Sequence, residues 1–455
     1  MYNDTIVAIA TPPGEGGIGI VRLSGAAALT IGTRIFHPLH AGPLRPYRMR
    51  YGWITDPADG HVVDEALAVY MRTPRSFTGE DVVEFSCHGG PLPLQQTLSL
   101  ALAAGARLAT PGEFTLRAFL SGRIDLTQAE ATLDVIRART DAGLALAQQQ
   151  LAGWLAKEVR RIRAELIEIL AYVTVCVDFP EDEVEAQELG PQLGAALAAV
   201  EALLKGADQG MIYRQGARAA LVGRPNVGKS SLLNALLRAD RAIVTAIAGT
   251  TRDTLEETAN LAGIPVVLID TAGITESSNL IEQLGIERSR SALAGADLAL
   301  LVFDAGVALS DDDLQIAALT VDRPTLVVWN KADTLPNNLP SLPFVHPKLV
   351  GSIQTSALTH AGVTALALAI ARVLLGGAAP ITSDARLVAN PRHRDALLRA
   401  VEHLRATVAT RQVAAPTDLL AGDLTTALNA LGEITGETVG ADLLEVIFSR
   451  FCIGK

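Results

Sequence analysis

The sequence predicts a multidomain chain of mixed class: an α+β domain first, then a helical domain into which an α/β domain is inserted. Three observations predict it. Short apolar runs alternate with turn-rich pieces over residues 1–120. From Gln128 a stretch poor in breakers carries apolar residues at i, i+3, i+4 spacing. Residues 217–375 then alternate near-continuous apolar runs with helical ones, before helical texture returns. A length of 455 residues holds about three domains of ~150 residues each.

The elements follow in order. TIVAIA, GIGIVRL, EALAVYM and DVVEFSCHGG read as strands of the first domain, residues 1–120. AEATLDVIRARTDAGLALAQQQLAGWLAKEVRRIRAELIEILAYV reads as one long helix or a helical pair and opens the helical part, residues 121–215. ARAALVG, PVVLIDTAG, ADLALLVFDA and RPTLVVWNKAD read as buried parallel strands of a doubly wound sheet, residues 216–377. GGAAPITSD is the expected linker. HRDALLRAVEHLRATVAT, LLAGDLTTALNALGEI and ADLLEVIFSRF complete the helical domain over residues 378–455. The alternative is two separate helical domains. Aromatics make up only 4% of the chain, so Ala, Leu, Val and Ile must fill the cores.

A net charge of −11 argues against a generally basic nucleic-acid coat. Local basic clusters remain: RPYRMR (45–50), KEVRRIR (157–163) and PRHR (391–394), each of a kind that is more often a solvated helix or loop face than a tRNA contact. Cys87, Cys176 and Cys452 are too scattered for a disulfide framework and predict a reduced compartment. No CxxC pair suggests zinc. The start lacks the basic and apolar regions of a signal peptide. No run of ~18 apolar residues predicts a membrane span. A cytoplasmic protein is expected.

The chemistry concentrates in GRPNVGKS, Gly223–Ser230, which follows an apolar run and precedes the helical SLLNALL. Such a loop turns backbone N–H groups around phosphates, while Lys229 meets the β/γ oxygens and Ser230 meets Mg²⁺. DTAG, Asp270–Gly273, ends a strand; Asp270 can hold the metal through water, and the Gly273 amide can meet the γ-phosphate. NKAD, Asn330–Asp333, ends the next strand but one. Asp333 can accept from two guanine N–H groups at once, which adenine cannot offer. TSA, Thr355–Ala357, can touch the base from below. GTTRD, Gly249–Asp253, is placed to bring Thr251 to Mg²⁺. Together these predict a GTP-binding domain. The contacts expected from these motifs are Asn226, Val227, Gly228, Lys229, Ser230, Ser231, Gly249, Thr250, Thr251, Asp270, Thr271, Ala272, Gly273, Asn330, Lys331, Asp333, Ser356 and Ala357.

The glutamine that often follows DTAG and orients water is here Ile274, which cannot hydrogen-bond. Glu282 can take that task, or be a solvated helix carboxylate. Asn226 can help hold a monovalent cation that offsets transition-state charge.

DTIVAIATPPGEGGIGIVRLSG, FTGEDVVEFSCHGG, GEFTLRAFLSGRIDL, GRPNVGKSSLLNAL, TAIAGTTRD and the final FCIGK resemble the MnmE (TrmE) family of tRNA-modification GTPases, from residue 4 to the terminus. The resemblance implies a homodimer with a folate-binding and dimerising N-terminal domain, a helical domain and an inserted G domain. It implies a flavoprotein partner, MnmG, in a heterotetramer or larger complex. With it, a carboxymethylaminomethyl-type group is added to C5 of the wobble uridine (position 34) of certain tRNAs. The one-carbon unit comes from 5-formyl- or 5,10-methylene-tetrahydrofolate.

The resemblance extends the GTP contacts to Thr245, Ala246, Ile247 and Ala248. The family's potassium ligands fall on Asn226, Thr245, Ile247 and Thr250, its magnesium ligands on Ser230 and Thr251, and its catalytic glutamate on Glu282. Its folate contacts fall on Arg22, Glu80, Arg123 and Lys455. Cys452 then lies near the one-carbon chemistry, as a nucleophile, a proton donor or a packing residue. Three departures stand out: Arg123 where some members carry lysine, Thr275 where arginine is common, and Pro391 where alanine is common. Two other functions are compatible with the motifs: a switch protein assisting ribosome assembly, and a folate-binding regulator whose GTPase gates assembly.

Overall fold

The computed structural model describes residues 4–179, 187–239, 256–270, 290, 292–334, 342–381, 385–412 and 417–455. The chain divides into two compact units: Met1–Leu133 with Leu151–Ala164 and Leu428–Lys455, and Asp134–Gln150 with Glu165–Ala427.

The first unit is built on a seven-stranded sheet. Its strands are β1 (Ile6–Ile9), β2 (Gly16–Ser24), β3 (Phe36–Pro38), β4 (Arg50–Thr55), β5 (Val62–Met71), β6 (Val82–Gly89) and β7 (Arg107–Leu108), in the order β3-β4-β5-β6-β2-β1-β7. Only β1 and β7 pair in parallel. Alternation along the strands sorts the side chains. Val7, Val21, Leu23, Ala68, Val83 and Phe85 share a core with Ala28, Ile31 and Ile35 of helix Ala28–Ile35 and with Leu94 and Ala101 of helix Pro91–Ala103. On the opposite face Ile6 and Ala8 meet Phe114 of helix Glu113–Leu120. The registers Ala8↔Arg22 and Ile6↔Ser24 put Arg22 and Ser24 on that second face.

The stretch beyond Gln128, expected as one long helix or a helical pair, is three helices: Leu126–Arg137, Asp141–Leu151 and Trp154–Asp178. The first break is a cap, since Thr140 Oγ1 accepts from Gly143 N at 3.1 Å. The second is Gly153, at φ +80°, a left-handed turn that glycine adopts without a Cβ penalty. Gln128 Nε2 donates to the carbonyl of Leu151 at 2.9 Å and closes the end left there.

The second unit carries a six-stranded sheet of β8 (Ala217–Val222), β9 (Glu256–Leu261), β10 (Ile264–Asp270), β11 (Leu298–Asp304), β12 (Thr325–Asn330) and β13 (Leu349–Gln354). The order is β13-β12-β11-β8-β10-β9, parallel except for the β9–β10 hairpin. β11 and β12 are buried on both faces, as the unbroken apolar runs require. Leu221, Leu300, Val302 and Val328 pack with helices Lys229–Ala239 and Val363–Leu374. Val222, Leu301, Phe303 and Trp329 face the other layer, which includes Ala317 of helix Asp311–Ala318. The central β8 has β10 on one side and β11 on the other, so strand order reverses there, which opens a crevice at the carboxyl ends of the strands. In the same unit helix Pro391–Gln412 packs along Leu189–Leu204. Its buried Leu397, Ala400 and Leu404 match Leu193, Ala196 and Val200 at helical spacing.

The first unit also buries charge. Glu113 and Arg117 are both almost fully buried. Glu113 Oε1 accepts from Arg117 Nη2 at 2.9 Å and from Arg107 Nη2 at 2.6 Å, and Arg117 Nη2 also donates to Asp4 Oδ1 at 2.7 Å. Burial alone would raise the Glu113 pKa. Hydrogen bonds from Arg107, the Thr110 amide and Arg117 outweigh it and bring the carboxyl down to about 2. The folded value is below the ordinary 4.5, so this carboxylate stabilises the fold above that pH and ceases to as pH falls toward 2. The linked contribution is on the order of 3 kcal/mol. We predict that Glu113→Gln lowers the melting temperature at neutral pH. The gap from the unaltered protein should close between pH 4.5 and 2; a gap constant with pH would contradict the assignment.

Candidate functional site

The phosphate-binding loop lies between β8 and helix Lys229–Ala239, at the crevice. Its turn requires backbone that few residues adopt. Gly223 and Gly228 have φ of +156° and +91°, and Asn226 has +63°. A Cβ on Gly223 would lie 2.3 Å from the Val302 carbonyl. Lys229 heads the helix with its ammonium on the carbonyls of Gly223 (2.7 Å) and Arg224 (2.8 Å). Burial pushes the Lys229 pKa down, and Asp270 partly restores it. Ser230 Oγ donates to Asp270 Oδ2 at 2.6 Å, so the two side chains read as metal-facing lie side by side. Paired hard oxygens of this kind suit Mg²⁺.

Asn330 ends β12 and is fully buried. Its Nδ2 donates to the Val227 carbonyl at 2.9 Å, and its Oδ1 accepts from the Ala357 amide at 3.1 Å. One carboxamide thus ties the phosphate loop to the TSA turn. Lys331, at φ +61°, donates to the Asn226 carbonyl at 2.8 Å and to Asp304 Oδ2 at 2.7 Å. Burial would raise the Asp304 pKa, but Lys331 and the Gly306 amide bring it below its ordinary value. Asp333 sits on a short 3₁₀ turn with its carboxylate exposed. Ser356 is buried; its amide donates to the Ala361 carbonyl, and its Oγ accepts from Thr359 N.

Three braces were not anticipated from sequence. Arg224 Nε donates to the buried Asp313 at 2.8 Å, and Asp313 also closes a capping box with Ser310. Asp304 holds Lys331, and Thr355 Oγ1 reaches Asn330 Oδ1 at 3.4 Å. The Ser-x-x-Asp spacing at 310–313 was a readable signal for the cap. Thr245, Ala246, Ile247, Ala248, Gly249, Thr250, Thr251, Thr271, Ala272, Gly273, Thr275 and Glu282 lie outside the described residues.

The second group of expected residues gathers on the Arg22 face of the first unit's sheet. Arg22 Nε donates to Glu84 Oε1 at 2.5 Å, and its guanidinium lies 5.7 Å from the Phe114 ring. Its Nη1 reaches the Gly454 carbonyl at 3.4 Å. Gly454, at φ +94°, packs so closely that a Cβ would lie 2.5 Å from the Ile9 carbonyl. The tail is held further by Gly112 N to Cys452 O at 3.4 Å and by the buried Phe451. Lys455 therefore ends beside this face, and Cys452 is exposed. Glu80 accepts from Ser24 Oγ at 2.6 Å and from Arg117 Nη1 at 3.2 Å. Arg123 lies over Phe77 at 5.8 Å and donates to its carbonyl at 3.5 Å.

The basic clusters are largely spoken for. In KEVRRIR, Arg160 and Arg163 pair with Glu437, and Arg161 with Glu158. In PRHR, Arg394 pairs with Asp208. Arg45 and Arg48 of RPYRMR are exposed.

A family model described as "MnmE helical domain" matches residues 126–452, and one described as "GTP-binding protein TrmE N-terminus" matches residues 5–123. The chain is similar to "tRNA modification GTPase MnmE" of Chloroflexus aurantiacus, 63% identical with 100% of both chains covered. It is 61% identical to the protein of that name from Roseiflexus castenholzii, again over 100% of both. It is 48% identical to that of Symbiobacterium thermophilum, with the same full coverage.

This chain belongs to the MnmE (TrmE) family. The family's three-part architecture agrees with the mixed fold described above. Among the departures from the family pattern, Pro391 fits without distortion. It occupies the first position of helix Pro391–Gln412, where a missing N–H costs nothing, and Asn390 Oδ1 accepts from Arg392 N at 3.0 Å. Among the described residues no helix is long and apolar enough to cross a membrane.

The loop geometry generates a test. At Gly228 a Cβ would lie 2.4 Å from Asn330 Nδ2. Gly228→Ala should therefore displace the carboxamide and weaken guanine-nucleotide binding by about tenfold or more, the cost of one lost buried hydrogen bond. Titration with a fluorescent GDP analogue would show it; unchanged affinity would refute the interlock.

Proposed function

We propose that this chain hydrolyses GTP as its part in modifying the wobble uridine of tRNA. It is a GTPase of the MnmE family, and the relatives named above are called tRNA modification GTPases. The observation that carries the reading is the join at Asn330. The asparagine of the guanine-recognition motif is bound to the phosphate loop, so base recognition and phosphate binding form one site.

Within that site the roles follow from chemistry. Lys229 neutralises the β/γ oxygens, and Ser230 with Thr251 ligates Mg²⁺, backed by Asp270. Magnesium supplies charge neutralisation at the transferring phosphoryl group. Asp333 selects guanine by accepting from its two N–H groups. Glu282 orients the attacking water in place of the residue at Ile274. Asn226, Thr245, Ile247 and Thr250 hold potassium. The remaining nucleotide contacts are those given by the motifs. Turnover depends on two G domains meeting in a homodimer.

The first unit carries the other half of the reaction. Arg22, Glu80, Arg123 and Lys455 bind a tetrahydrofolate, and Cys452 acts beside the one-carbon unit. Support comes from the gathering of Arg22, Glu80 and the tail on one sheet face. A flavoprotein of the MnmG type is the partner, and tRNA the substrate. The domains are residues 1–120 for folate binding and dimerisation, 121–215 and 378–455 for the helical domain, and 216–377 for the G domain.

Three outcomes are expected. GTP turnover by the purified protein should be many-fold faster in KCl than in NaCl; equal rates would remove the cation assignment. Asp333→Asn should weaken GTP binding by roughly 100-fold or more. It should also confer binding of xanthosine triphosphate, whose C2 carbonyl accepts from the new amide; retained GTP preference would displace Asp333 from the base. Nucleoside analysis of tRNA from cells lacking the protein should show the C5 substituent gone from wobble uridines. Intact modification would overturn the proposal.

A further inference from the structure

Among the described residues Arg117 is the most deeply buried guanidinium with carboxylates on several sides, and no nucleotide or folate role has been given to it. Its side chain is 1% exposed. Three acids surround it. Nη2 donates to Asp4 Oδ1 (2.7 Å) and Glu113 Oε1 (2.9 Å), and Nη1 spans both oxygens of Glu80 at 3.2 and 3.3 Å. Nη1 also reaches the Asp4 carbonyl at 3.1 Å. Asp4 and Glu113 are anchored independently by Arg107. The guanidinium is thus fixed on one side by a rigid ion cluster and grips Glu80 on the other. Ser24 Oγ, on the strand that carries Arg22, holds Glu80 Oε2 as well.

Glu80 is the acid whose surroundings differ. Glu113 and the 40% exposed Asp4 each pair with both Arg107 and Arg117, whereas Glu80 pairs with Arg117 alone of the two and keeps 23% of its side chain exposed on the Arg22 face. A carboxylate accepts through about four lone-pair sites, and the contacts named occupy three. The outward capacity is left for N–H donors of a ligand.

We propose that Arg117 is a positioning residue that aims the Glu80 carboxylate at the N–H groups of a bound tetrahydrofolate; this rests on the folate reading of Glu80. A fork-shaped guanidinium can hold three acids at fixed angles. A lysine ammonium, as a point charge, cannot. Misaiming by a fraction of an ångström weakens a paired N–H···O contact without removing the charge.

The test is titration of the full-length chain with 5-formyl-tetrahydrofolate, at a temperature well below each variant's melting point. Arg117→Lys should weaken binding about tenfold. The decisive comparison is with Glu80→Gln: if Arg117 acts through Glu80, the double variant binds no more weakly than Glu80→Gln alone. A merely structural arginine would lower the melting temperature and give losses that add; additive losses, or unchanged affinity in Arg117→Lys, overturn the proposal. Should Arg117→Lys not fold, Glu113→Gln withdraws one anchor while keeping the guanidinium. It should weaken binding severalfold in the unaltered background and not in the Glu80→Gln background; equal effects in both count against the proposal. Loss of binding in Glu80→Gln with none in Arg117→Lys leaves the folate reading standing and removes only the positioning role. No loss in Glu80→Gln, or no binding by the unaltered protein, removes the reading and the proposal with it.

Discussion

A single buried carboxamide, that of Asn330, is the constraint on which the nucleotide site depends. It lies at the end of the fully buried strand β12, where no water can replace a lost partner. Its NH₂ fixes the phosphate loop and its oxygen fixes the TSA turn, so two loops far apart in the sequence share one anchor. Lys331 adds a second tie one residue on, through the Asn226 carbonyl. The positive φ values at Asn226, Gly228 and Lys331 cluster around this anchor. Backbone held in sparse regions of this kind persists only where the surroundings fix it.

The two groups of functional residues are held by different physics. The phosphate loop is shaped by its own main chain, whose carbonyls accept from the Asn330 amide and from the Lys229 and Lys331 ammonium groups, leaving its amides to wrap phosphate oxygens. The sheet face of the first unit rests instead on buried charge. Glu113 and Arg117 are buried, and their desolvation cost is offset only because they meet each other and the half-exposed Arg107 and Asp4 at good geometry. Such networks are stiff, because removing any member strands a partner charge. Stiffness is useful beneath Arg22 and Glu80, since both reach their positions through contacts from below: Glu84 and Phe114 for one, Ser24 and Arg117 for the other.

Much of this was legible in the sequence, for identifiable reasons. The runs ADLALLVFDA and RPTLVVWNKAD are apolar throughout because both faces of β11 and β12 are covered. The phosphate loop and NKAD were readable because close backbone approach and guanine recognition admit few residue types. β3, β4, β7, β9 and β13 were not read. β3 and β7 span three and two residues, too short for any periodicity, and β9, EETANL, carries polar residues on an edge. β4, RYGWIT, and β13, LVGSIQ, each carry a glycine that interrupts the apolar pattern. The break between helices at Gly153 was passed over because one glycine in an apolar pattern carries little signal. Arg117 and Asp313 were missed for a deeper reason. Charged residues in helices read as solvated, and only the packed structure reveals that these are buried and opposed.

The docking of the tail has a consequence for how the protein can be handled. Residues 451–454 are held by an aromatic ring and by main-chain contacts, at Phe451, Cys452 O and Gly454, so the Cys452 thiol is left pointing outward. The Cys87 thiol is buried and pushed up to about 11, which keeps it protonated and unreactive. A maleimide dye thus meets Cys452 well before Cys87. The chain carries a native attachment point for a fluorescent reporter at the edge of the Arg22 face.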